Sequence, residues 1–361
     1  MSDEFAVVVV THNSAREIAG LAGDLLRDVA EGDEIVFVDN GSDDESASLA
    51  RELGERVRAI DVGANEGFAA GCRAGARATT APLLLFLNPD IRIAPGALGR
   101  LRQVAAQRSE WAAWQPALLL ADGRINSAGG VVHYLGIGWA GQCEGEAAGL
   151  ASEPYEVSFP SGAALVIRRD VWQQLGGFED SYFLYGEDLD LGLRLWLSGH
   201  RVGVEPRAEL IHGYDFDKGA RKWFLLERNR WRTLIACYPG PLLALLAPAL
   251  LAAEVGLLLV AARDRWLRAK LRADLATLTG LRQALARRRA VQATRAISAG
   301  AFARILTSSL DSPYIGRLPR PLLRAQAGYF ALVRLVLRGR SRPPVSIAPS
   351  ARGPGPGGRE S

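Results

Sequence analysis

The sequence predicts an α/β protein, with a doubly wound and mostly parallel sheet followed by a helical C-terminal region. The first ninety residues alternate short apolar runs with amphipathic segments, which is typical of βαβ units. Residues 239–262 are apolar apart from one glutamate, and from Arg263 onward leucines recur at helical spacing among many arginines. These observations divide the chain into residues 1–237, 238–337 and a tail at 338–361.

The strands of the first part are predicted from composition. A run that is apolar throughout is typical of a strand covered on both faces. Such runs occur at 5–10 and within 82–91, and further strands are expected at 34–38 and within 57–63. Because ligands bind at the carboxyl ends of parallel strands, the residues that follow these runs are the first candidates for a site.

The helices between these strands are predicted from capping signals. Ser14 with Glu17, and Ser42 with Glu45, have the spacing of a capping box, in which two side chains each accept a backbone N–H. We therefore expect helices to begin at these serines. Residues 98–109 have helical periodicity, and short strands with glycine-rich turns are expected after them.

Polar clusters follow the predicted strands. Together they would line one edge of the sheet, where an acid after the second strand suits a ribose or base and helix N-termini suit phosphate. A carboxylate after a buried strand also suits a divalent cation that bridges diphosphate oxygens. Each cluster alone is equally explained by a turn or a helix cap. The clusters are Thr11-His12-Asn13, Asp39-Asn40-Gly41, Asn65 with Gly67, and Asn88-Pro89-Asp90.

Missing motifs argue against several protein classes. No G-x-G-x-x-G follows the first strand and no G-x-x-x-x-G-K-[ST] occurs, which disfavours dinucleotide-binding dehydrogenases and P-loop NTPases. The three cysteines lie far apart, so neither a disulfide framework nor a zinc site is expected, and this cysteine usage indicates a reducing, cytoplasmic compartment. The acidic start of the chain lacks the pattern of a secretion signal.

Three carboxylates crowd the stretch "FLYGEDLD": Glu187, Asp188 and Asp190. A helix is expected over 187–198, and at about 100° per residue the three side chains cannot point the same way. Asp190 precedes Arg194 by four residues, the spacing of a helical ion pair, so we assign it a structural role. The neighbouring acids raise the pKa of Asp188 and the helix N-terminus lowers it, and the sequence leaves the sum open. A simple acidic helix start is the alternative explanation of the cluster.

The ordered set of motifs resembles one enzyme family. The chain is similar to family-2 glycosyltransferases, and in particular to their bacterial rhamnosyltransferase-type branch, over residues 5–235. The resemblance implies a GT-A fold, a nucleotide-diphosphate sugar donor, a divalent metal (Mg²⁺ or Mn²⁺) and inversion at the anomeric carbon. The motifs are "VVVTHNS", "VDNGSDD", "NEGFAAG", "LLLFLNPD", "SGAALVIRRDVW", "FLYGEDLDLGLRLWLSG" and "ERNRW".

The resemblance also implies roles for single residues. Asp188 matches the catalytic base, and Glu187 beside it is expected to contact acceptor hydroxyls. Asp90 is the expected metal ligand, and His212 matches a histidine that approaches the metal or the diphosphate. Asn88 replaces the first acid of the D-x-D motif of the family, so metal binding would depend more on Asp90. The expected donor-binding residues are Thr11, Asn13, Asp39, Asn65, Gly67, Asn88 and Asp90.

The C-terminal region is expected to meet a membrane. Residues 239–262 are long enough to span a bilayer, but Pro241, Pro248 and Glu254 weaken a simple span, and basic residues flank both ends. Leucines among arginines further on indicate a helix lying in the interface over anionic lipid. In-plane or re-entrant attachment at the cytoplasmic face of the cell membrane is therefore favoured over a span. A soluble helical subdomain is the remaining alternative, and the tail at 338–361 is expected to be disordered.

The expected function is transfer of a sugar, with rhamnose as a candidate, to a hydroxyl of a lipid-linked or cell-envelope glycan. A sugar-phosphate nucleotidyltransferase and a non-catalytic glycan-binding protein are the alternatives. The former usually has a Gly- and Arg-rich loop ending in Pro-Lys after the first strand, which "THNSAREI" does not match. Nucleic acid is not an expected partner, because the C-terminal arginines alternate with leucines and not with stacking aromatic residues.

Overall fold

The computed structural model describes residues 3–213, 219–310 and 319–338. The strands in this part of the chain are β1 (Phe5–Thr11), β2 (Glu34–Asp39), β3 (Val57–Asp61), β4 (Leu83–Leu87), β5 (Ile91–Ile93), β6 (Trp111–Leu119), β7 (Ile125–Ser127), β8 (Gly130–Val132), β9 (Gly138–Ala140), β10 (Tyr155–Glu156), β11 (Ala164–Arg168) and β12 (Arg201–His212).

The α-helices are distributed over both halves of the chain. Those that accompany the sheet are α1 (Ala15–Asp28), α2 (Ser46–Arg51), α3 (Phe68–Arg77), α4 (Ala97–Gln107), α5 (Arg169–Leu175), α6 (Glu187–Leu197) and α7 (Gly219–Cys237). Those of the C-terminal region are α8 (Gly240–Arg263), α9 (Leu267–Thr279), α10 (Leu281–Ala293), α11 (Ala299–Ala303) and α12 (Arg320–Val336).

Ten strands form one mixed sheet, in which the main strand order is β10-β12-β6-β11-β4-β1-β2-β3. The first four strands of the chain, β1 to β4, are parallel, as their alternation with helices predicts. β11 runs antiparallel to both β4 and β6, and its insertion separates the parallel β6–β12 pair from the rest. The predicted α/β fold is therefore confirmed, and the central antiparallel strand is a feature that the sequence did not reveal.

The glycines of α3 allow this helix to pack closely on the sheet. A Cβ at Gly71 would lie 2.6 Å from a methyl group of Val10, and one at Gly75 would lie 2.2 Å from a methyl group of Val8. Both valines belong to β1, which is almost completely buried. Because interiors are close-packed, larger residues at these two positions would push α3 off the sheet. The close packing of this helix brings its N-terminus to the carboxyl edge of β1.

The two predicted capping boxes are wrong. Ser14 is the N-cap residue of α1, but its hydroxyl donates to the carbonyl of His12 at 3.2 Å and accepts no N–H of α1. The hydroxyl of Ser42 donates to Asp39 at 2.6 Å, and α2 begins only at Ser46. A buried carboxylate at a strand end, such as that of Asp39, requires hydrogen-bond donors. Ser42 therefore bonds to this carboxylate and is not available to cap a helix.

The C-terminal helices share a core with the sheet. Leu242, Leu246 and Leu250 of α8 are at most 5% exposed and belong to the same apolar cluster as the residues of β1 that face α3. Phe302 and Phe330 extend that cluster into α11 and α12. The end of α7 at Cys237 coincides with the predicted domain boundary, which stays a prediction. Of the predicted disordered tail, all but residue 338 lies outside the described residues.

Within the described residues, α8 alone is long and apolar enough to cross a membrane. Only 11% of its most apolar stretch is buried. Its single acid, Glu254, forms ion pairs with Arg230 of α7 and with Lys270 of α9. Lys270 also contacts Asp274 at 2.6 Å and is fully buried. Ion pairs therefore connect the middle of α8 to α7 and α9.

Candidate active site

Asp39 and Thr11 end two neighbouring parallel strands. The hydroxyl of Thr11 donates to Oδ1 of Asp39 at 3.2 Å, and Ser42 donates to the same carboxylate through its hydroxyl at 2.6 Å and its N–H at 3.0 Å. Asn13, with a positive φ of 54°, accepts the N–H of Asp43 at 2.8 Å. Hydrogen bonds thus fix a buried carboxylate at the sheet edge, with an exposed carboxamide beside it.

Asn65 and Gly67 connect this edge to the segment that carries the three acids. The carboxamide oxygen of Asn65 accepts from Asn40 at 3.2 Å and from the N–H of Gly67 at 3.0 Å. Gly67 has φ +94°, and a Cβ there would lie 2.3 Å from the carbonyl oxygen of Phe183. The same carbonyl accepts the first N–H of α3, that of Phe68, at 2.9 Å. Only glycine fits this contact between the two loops.

Asp90 and His212 are brought together by the pairing of β5 with the end of β12. Nε2 of His212 lies 3.4 Å from Oδ1 of Asp90 and 3.5 Å from the carboxamide nitrogen of Asn88. Nδ1 of His212 lies 2.9 Å from the carboxamide oxygen of Asn126, to which it donates. In the neutral ring that donates from Nδ1, Nε2 has its lone pair on the side of Asp90, and this is the tautomer that a metal-ligating histidine requires.

Asp188 is linked to this end of the edge through two consecutive residues. The N–H of Gly162 donates to Oδ2 of Asp188 at 3.0 Å, and the carbonyl of Ala163 accepts the N–H of Asn88 at 2.9 Å. Because consecutive Cα atoms are about 3.8 Å apart, the carboxylate of Asp188 and the Asn88-Pro89-Asp90 turn lie on one edge. The antiparallel strand β11 begins at this point and makes the link possible.

Asp190 faces away from this edge and is a structural acid. It forms ion pairs with Arg194 at 2.8 Å, as predicted, and with Arg287 of α10 at 2.6 Å. Tyr182 donates to it at 3.2 Å. Burial alone would raise the pKa of Asp190, but the two arginines outweigh burial and lower that pKa to about 2. Asp190 is therefore ionised at any physiological pH.

Glu187 and Asp188 differ from Asp190 in that their pKa values are raised and not lowered. Burial raises the pKa of Glu187 to about 8, and the negative charges of Asp188 and Asp190 add to this increase. Oε2 of Glu187 has no hydrogen-bond partner among the described residues. Burial also raises the pKa of Asp188, although the N–H groups of Gly162 and Leu189 oppose it. With this raised pKa, Glu187 is protonated at neutral pH and can donate a hydrogen bond.

The sequence and the fold both relate the chain to known glycosyltransferases. Residues 6–115 match the family described as Glycosyl transferase family 2, and residues 145–267 match the one described as Glycosyl transferase family group 2. The chain belongs to glycosyl transferase family 2. Over 235 residues it is 28% identical to an N-acetylglucosaminyl-diphospho-decaprenol L-rhamnosyltransferase of Mycobacterium tuberculosis, covering 59% of this chain and 76% of that protein.

Two further similarities concern a second curated relative and the fold. The O-antigen biosynthesis protein RfbC of Myxococcus xanthus is 33% identical over 188 residues, which are 46% of this chain and 14% of that protein. The crystal structure of GalNAc-T7 with UDP, GalNAc and Mn²⁺ superimposes with a TM-score of 0.55 at 16% identity, over 66% of this chain. This chain spans 48% of the GalNAc-T7 chain. The predicted GT-A fold, enzyme class and rhamnosyltransferase-like branch are confirmed, and neither alternative function gains support.

The structure joins all the predicted site residues of the glycosyltransferase along one edge, and it adds partners that sequence analysis missed. Gly162 orients Asp188, and Asn126 orients His212. The sequence gives no sign of either role, because each residue only lies in a glycine-rich or polar stretch. Arg73 of α3 forms an ion pair with Asp180 at 3.1 Å.

Replacement of Glu187 by glutamine is expected to stabilise the glycosyltransferase at high pH. A carboxyl whose pKa rises from 4.5 to about 8 on folding favours the folded state below pH 4.5, and this contribution is lost as the pH rises through 8. Glu187→Gln should therefore raise the Tm by about 3 °C or more at pH 9 and leave it nearly unchanged at pH 5. Thermal unfolding between pH 5 and 9 measures this, with the exposed Glu55→Gln as a control. A pH-independent difference would contradict the prediction.

Proposed function

We propose that this enzyme transfers a sugar, with inversion, from a nucleotide-diphosphate donor to a hydroxyl of a lipid-linked or cell-envelope glycan. The observation that carries the proposal is the continuous edge that runs from Asp39 through Gly67 to Asp188 and Asp90. Such an edge supplies a nucleoside contact, a carboxylate base and a metal ligand within reach of one donor molecule. The name of the mycobacterial relative, a diphospho-decaprenol rhamnosyltransferase, supports a lipid-linked acceptor and makes rhamnose a candidate.

Donor binding is assigned to the strand ends and the following loops. Asp39, held by Thr11 and Ser42, can accept hydrogen bonds from a ribose or a base without moving. Asn13 is exposed beside it, and Asn65 and Gly67 border the same space. Nucleotide-diphosphate binding also occurs in GalNAc-T7, which was crystallised with UDP.

Asp188 is assigned the role of general base. The acceptor hydroxyl attacks the anomeric carbon, a new C–O bond forms on the face opposite the leaving group, and the bond to the diphosphate oxygen breaks. The hydroxyl proton passes to the carboxylate of Asp188. A base with a raised pKa keeps more proton affinity for this transfer than an ordinary aspartate. Because there is a single displacement, the configuration inverts and one base is enough.

Glu187 is assigned to the acceptor. Its carboxyl is protonated at neutral pH and has an oxygen without a partner among the described residues. A buried polar atom of this kind is stabilised when a ligand hydroxyl supplies the missing hydrogen bond. Protonation also removes the repulsion that a second carboxylate would exert on Asp188.

Asp90 and His212 are assigned to a divalent cation, Mg²⁺ or Mn²⁺. The donor set fits, because one carboxylate and one imidazole lone pair are 3.4 Å apart and Asn126 orients the ring. A bound cation of this kind supplies positive charge to the departing diphosphate. Within residues 3–213, 219–310 and 319–338 no group of three or more His, Cys, Asp or Glu side chains could hold a metal, so donor oxygens and water would complete the coordination.

Attachment to the cytoplasmic face of the membrane is assigned to α8 and α9. Leu251, Val255 and Leu259 form a stripe on α8 that is at least 60% exposed, and α9 adds three exposed leucines. Residues 263–295 contain ten Lys and Arg against two Asp, which suits anionic lipid. The ion pairs of Glu254 connect the middle of α8 to the sheet domain, which supports an in-plane helix over a spanning one.

Donor and metal binding are tested together by thermal unfolding with UDP-, dTDP- and GDP-sugars, each with and without Mn²⁺. One donor should raise the Tm, and Mn²⁺ should increase that shift. His212→Ala should remove the Mn²⁺-dependent part of the shift and retain the metal-independent part. His200→Ala, in the turn between α6 and β12, should behave as the wild type. A Tm that rises with nucleoside triphosphates and with no nucleotide sugar would overturn the proposal.

A further inference from the structure

We propose that Asn229 of α7 and Arg287 of α10 are positioning residues for the catalytic acids. Both hold the acid-bearing segment, defined as residues 181–190, in the conformation that presents Asp188 to the donor edge. The inference rests on the proposed role of Asp188 as the base. It assigns a function to the "ERNRW" motif, which the proposed reaction leaves unused.

The acid-bearing segment has an unfavourable backbone conformation. Phe183 and Tyr185 have φ values of 65° and 68°, and Gly186 follows with φ 84°. Non-glycine residues rarely adopt positive φ, because the Cβ approaches the neighbouring backbone. Two such residues in three positions, one of them directly before Gly186, require contacts from outside the segment to persist. Because Glu187 and Asp188 follow immediately, the conformation of this turn sets the direction in which both carboxyls point.

Asn229 supplies contacts from one side. Its carboxamide nitrogen donates to the carbonyls of Tyr182 at 3.1 Å, Leu184 at 3.0 Å and Tyr185 at 2.7 Å. Asn229 is 1% exposed, so no water competes for these bonds. Its neighbour Arg228 donates to the carbonyl of Tyr182 as well, at 2.9 Å. The two N–H groups of one side chain, one of them shared, thus bind three carbonyls of the turn.

Arg287 supplies contacts from the other side. Its guanidinium lies 2.6 Å from Asp190, 2.7 Å from Glu179 and 3.3 Å from the hydroxyl of Tyr182. These partners stand before, at the start and at the end of the acid-bearing segment, so a single residue of α10 ties both ends of it. Its side chain is 15% exposed, and the desolvated charge is balanced by the two carboxylates.

Arg287 also gives the C-terminal region a part in the active site. α10 follows directly on α9, whose exposed leucines form part of the proposed membrane face, and it packs on α7. The helices that would hold the enzyme at the bilayer therefore also support its catalytic acids. A positioning role predicts that loss of Arg287 lowers turnover even toward a water-soluble acceptor.

The test compares full-length Asn229→Leu, Arg287→Met and Arg287→Lys with a soluble acceptor analogue. Asn229→Leu and Arg287→Met should lower kcat by about 10²-fold, because small displacements of a catalytic group have effects of this size. The KM for the donor should change by about twofold or less, since the donor contacts at Asp39 and Asn65 are untouched. Arg287→Lys should recover part of kcat, and Arg289→Met, an exposed arginine on the same helix, should match the wild type.

Hydrogen exchange supplies a readout independent of turnover. Amides of residues 182–186 should exchange faster in Asn229→Leu and Arg287→Met, with no change at β1 and β2. Unchanged kcat, or equal losses in Arg287→Lys and Arg287→Met with unaltered exchange, would overturn the positioning role. If Asp188→Asn retains turnover, the proposed reaction fails whatever these variants do. If Asp188→Asn is inactive while both positioning variants keep kcat, the positioning role alone fails.

Discussion

Asp188→Asn is expected to lower kcat by about 10³-fold and to leave the donor affinity within about twofold of the wild type. Asparagine has the same shape and can still accept the N–H of Gly162, which now donates at 3.0 Å, so the segment keeps its place. It cannot take a proton from the acceptor hydroxyl. Steady-state transfer kinetics and donor titration by calorimetry measure the two quantities. Turnover within tenfold of the wild type would show that another group is the base.

Asp190→Asn is the matched control, because it changes a second aspartate of the same helix in the same way. Its loss leaves Arg194 without a buried counter-charge and leaves Arg287 with Glu179 alone, which costs about 3–5 kcal/mol of the free energy of unfolding. The pKa of Asp190 is lowered from 3.8 to about 2, so the wild-type advantage is complete above pH 4 and disappears as the pH falls toward 2. Asp188→Asn should show no such loss of stability. An equal loss of Tm in both variants would remove the distinction between a catalytic and a structural acid.

A triple variant, Leu251→Gln with Val255→Gln and Leu259→Gln, is expected to weaken binding to anionic vesicles by about 10²-fold or more. Each side chain is at least 60% exposed, and its transfer into an interface contributes on the order of 1–2 kcal/mol. Deletion of residues 239–361 would be a poorer test, because Leu242 and its buried neighbours belong to the shared core. Vesicle flotation with phosphatidylglycerol-containing membranes measures the change.

Two controls separate membrane binding from general effects of substitution. Leu26→Gln, an exposed leucine of α1 on the sheet domain, should leave flotation unchanged. The triple variant should keep its Tm and its turnover with a soluble acceptor, since no buried residue is altered. Vesicle binding of the triple variant at wild-type strength would refute attachment through the outer face of α8.

The strands and the polar residues after them were predictable because the signals are local. β-branched apolar runs mark β1 and β2, and a helical spacing of four relates Asp190 to Arg194. The pairs that complete the site depend on long-range topology. Asp90 meets His212 only because β5 pairs with β12, and Asp188 meets Gly162 only because β11 enters the sheet antiparallel. Nothing near these residues in the sequence records such pairings.

The predicted serine caps failed for a related reason. A capping box is predicted from the spacing of residues along the chain. Ser42 instead donates two hydrogen bonds to Asp39, because a buried carboxylate requires hydrogen-bond donors. The contacts of Arg287 could not be predicted either, because in the sequence this residue looks like the exposed arginines around it in the same basic helix. Local pattern therefore pointed to the polar residues after the strands, the family resemblance added His212, and tertiary burial decided the partners of these residues.

The contact between Gly67 and the carbonyl of Phe183 limits how this enzyme can diversify. The two loops meet backbone to backbone, with no side chain between them to absorb a change in length or shape. An exchange of one loop for that of a relative with another sugar preference would misalign the other. Engineers who want a new donor or acceptor should therefore graft residues 65–68 and 181–186 as a matched pair from a single parent.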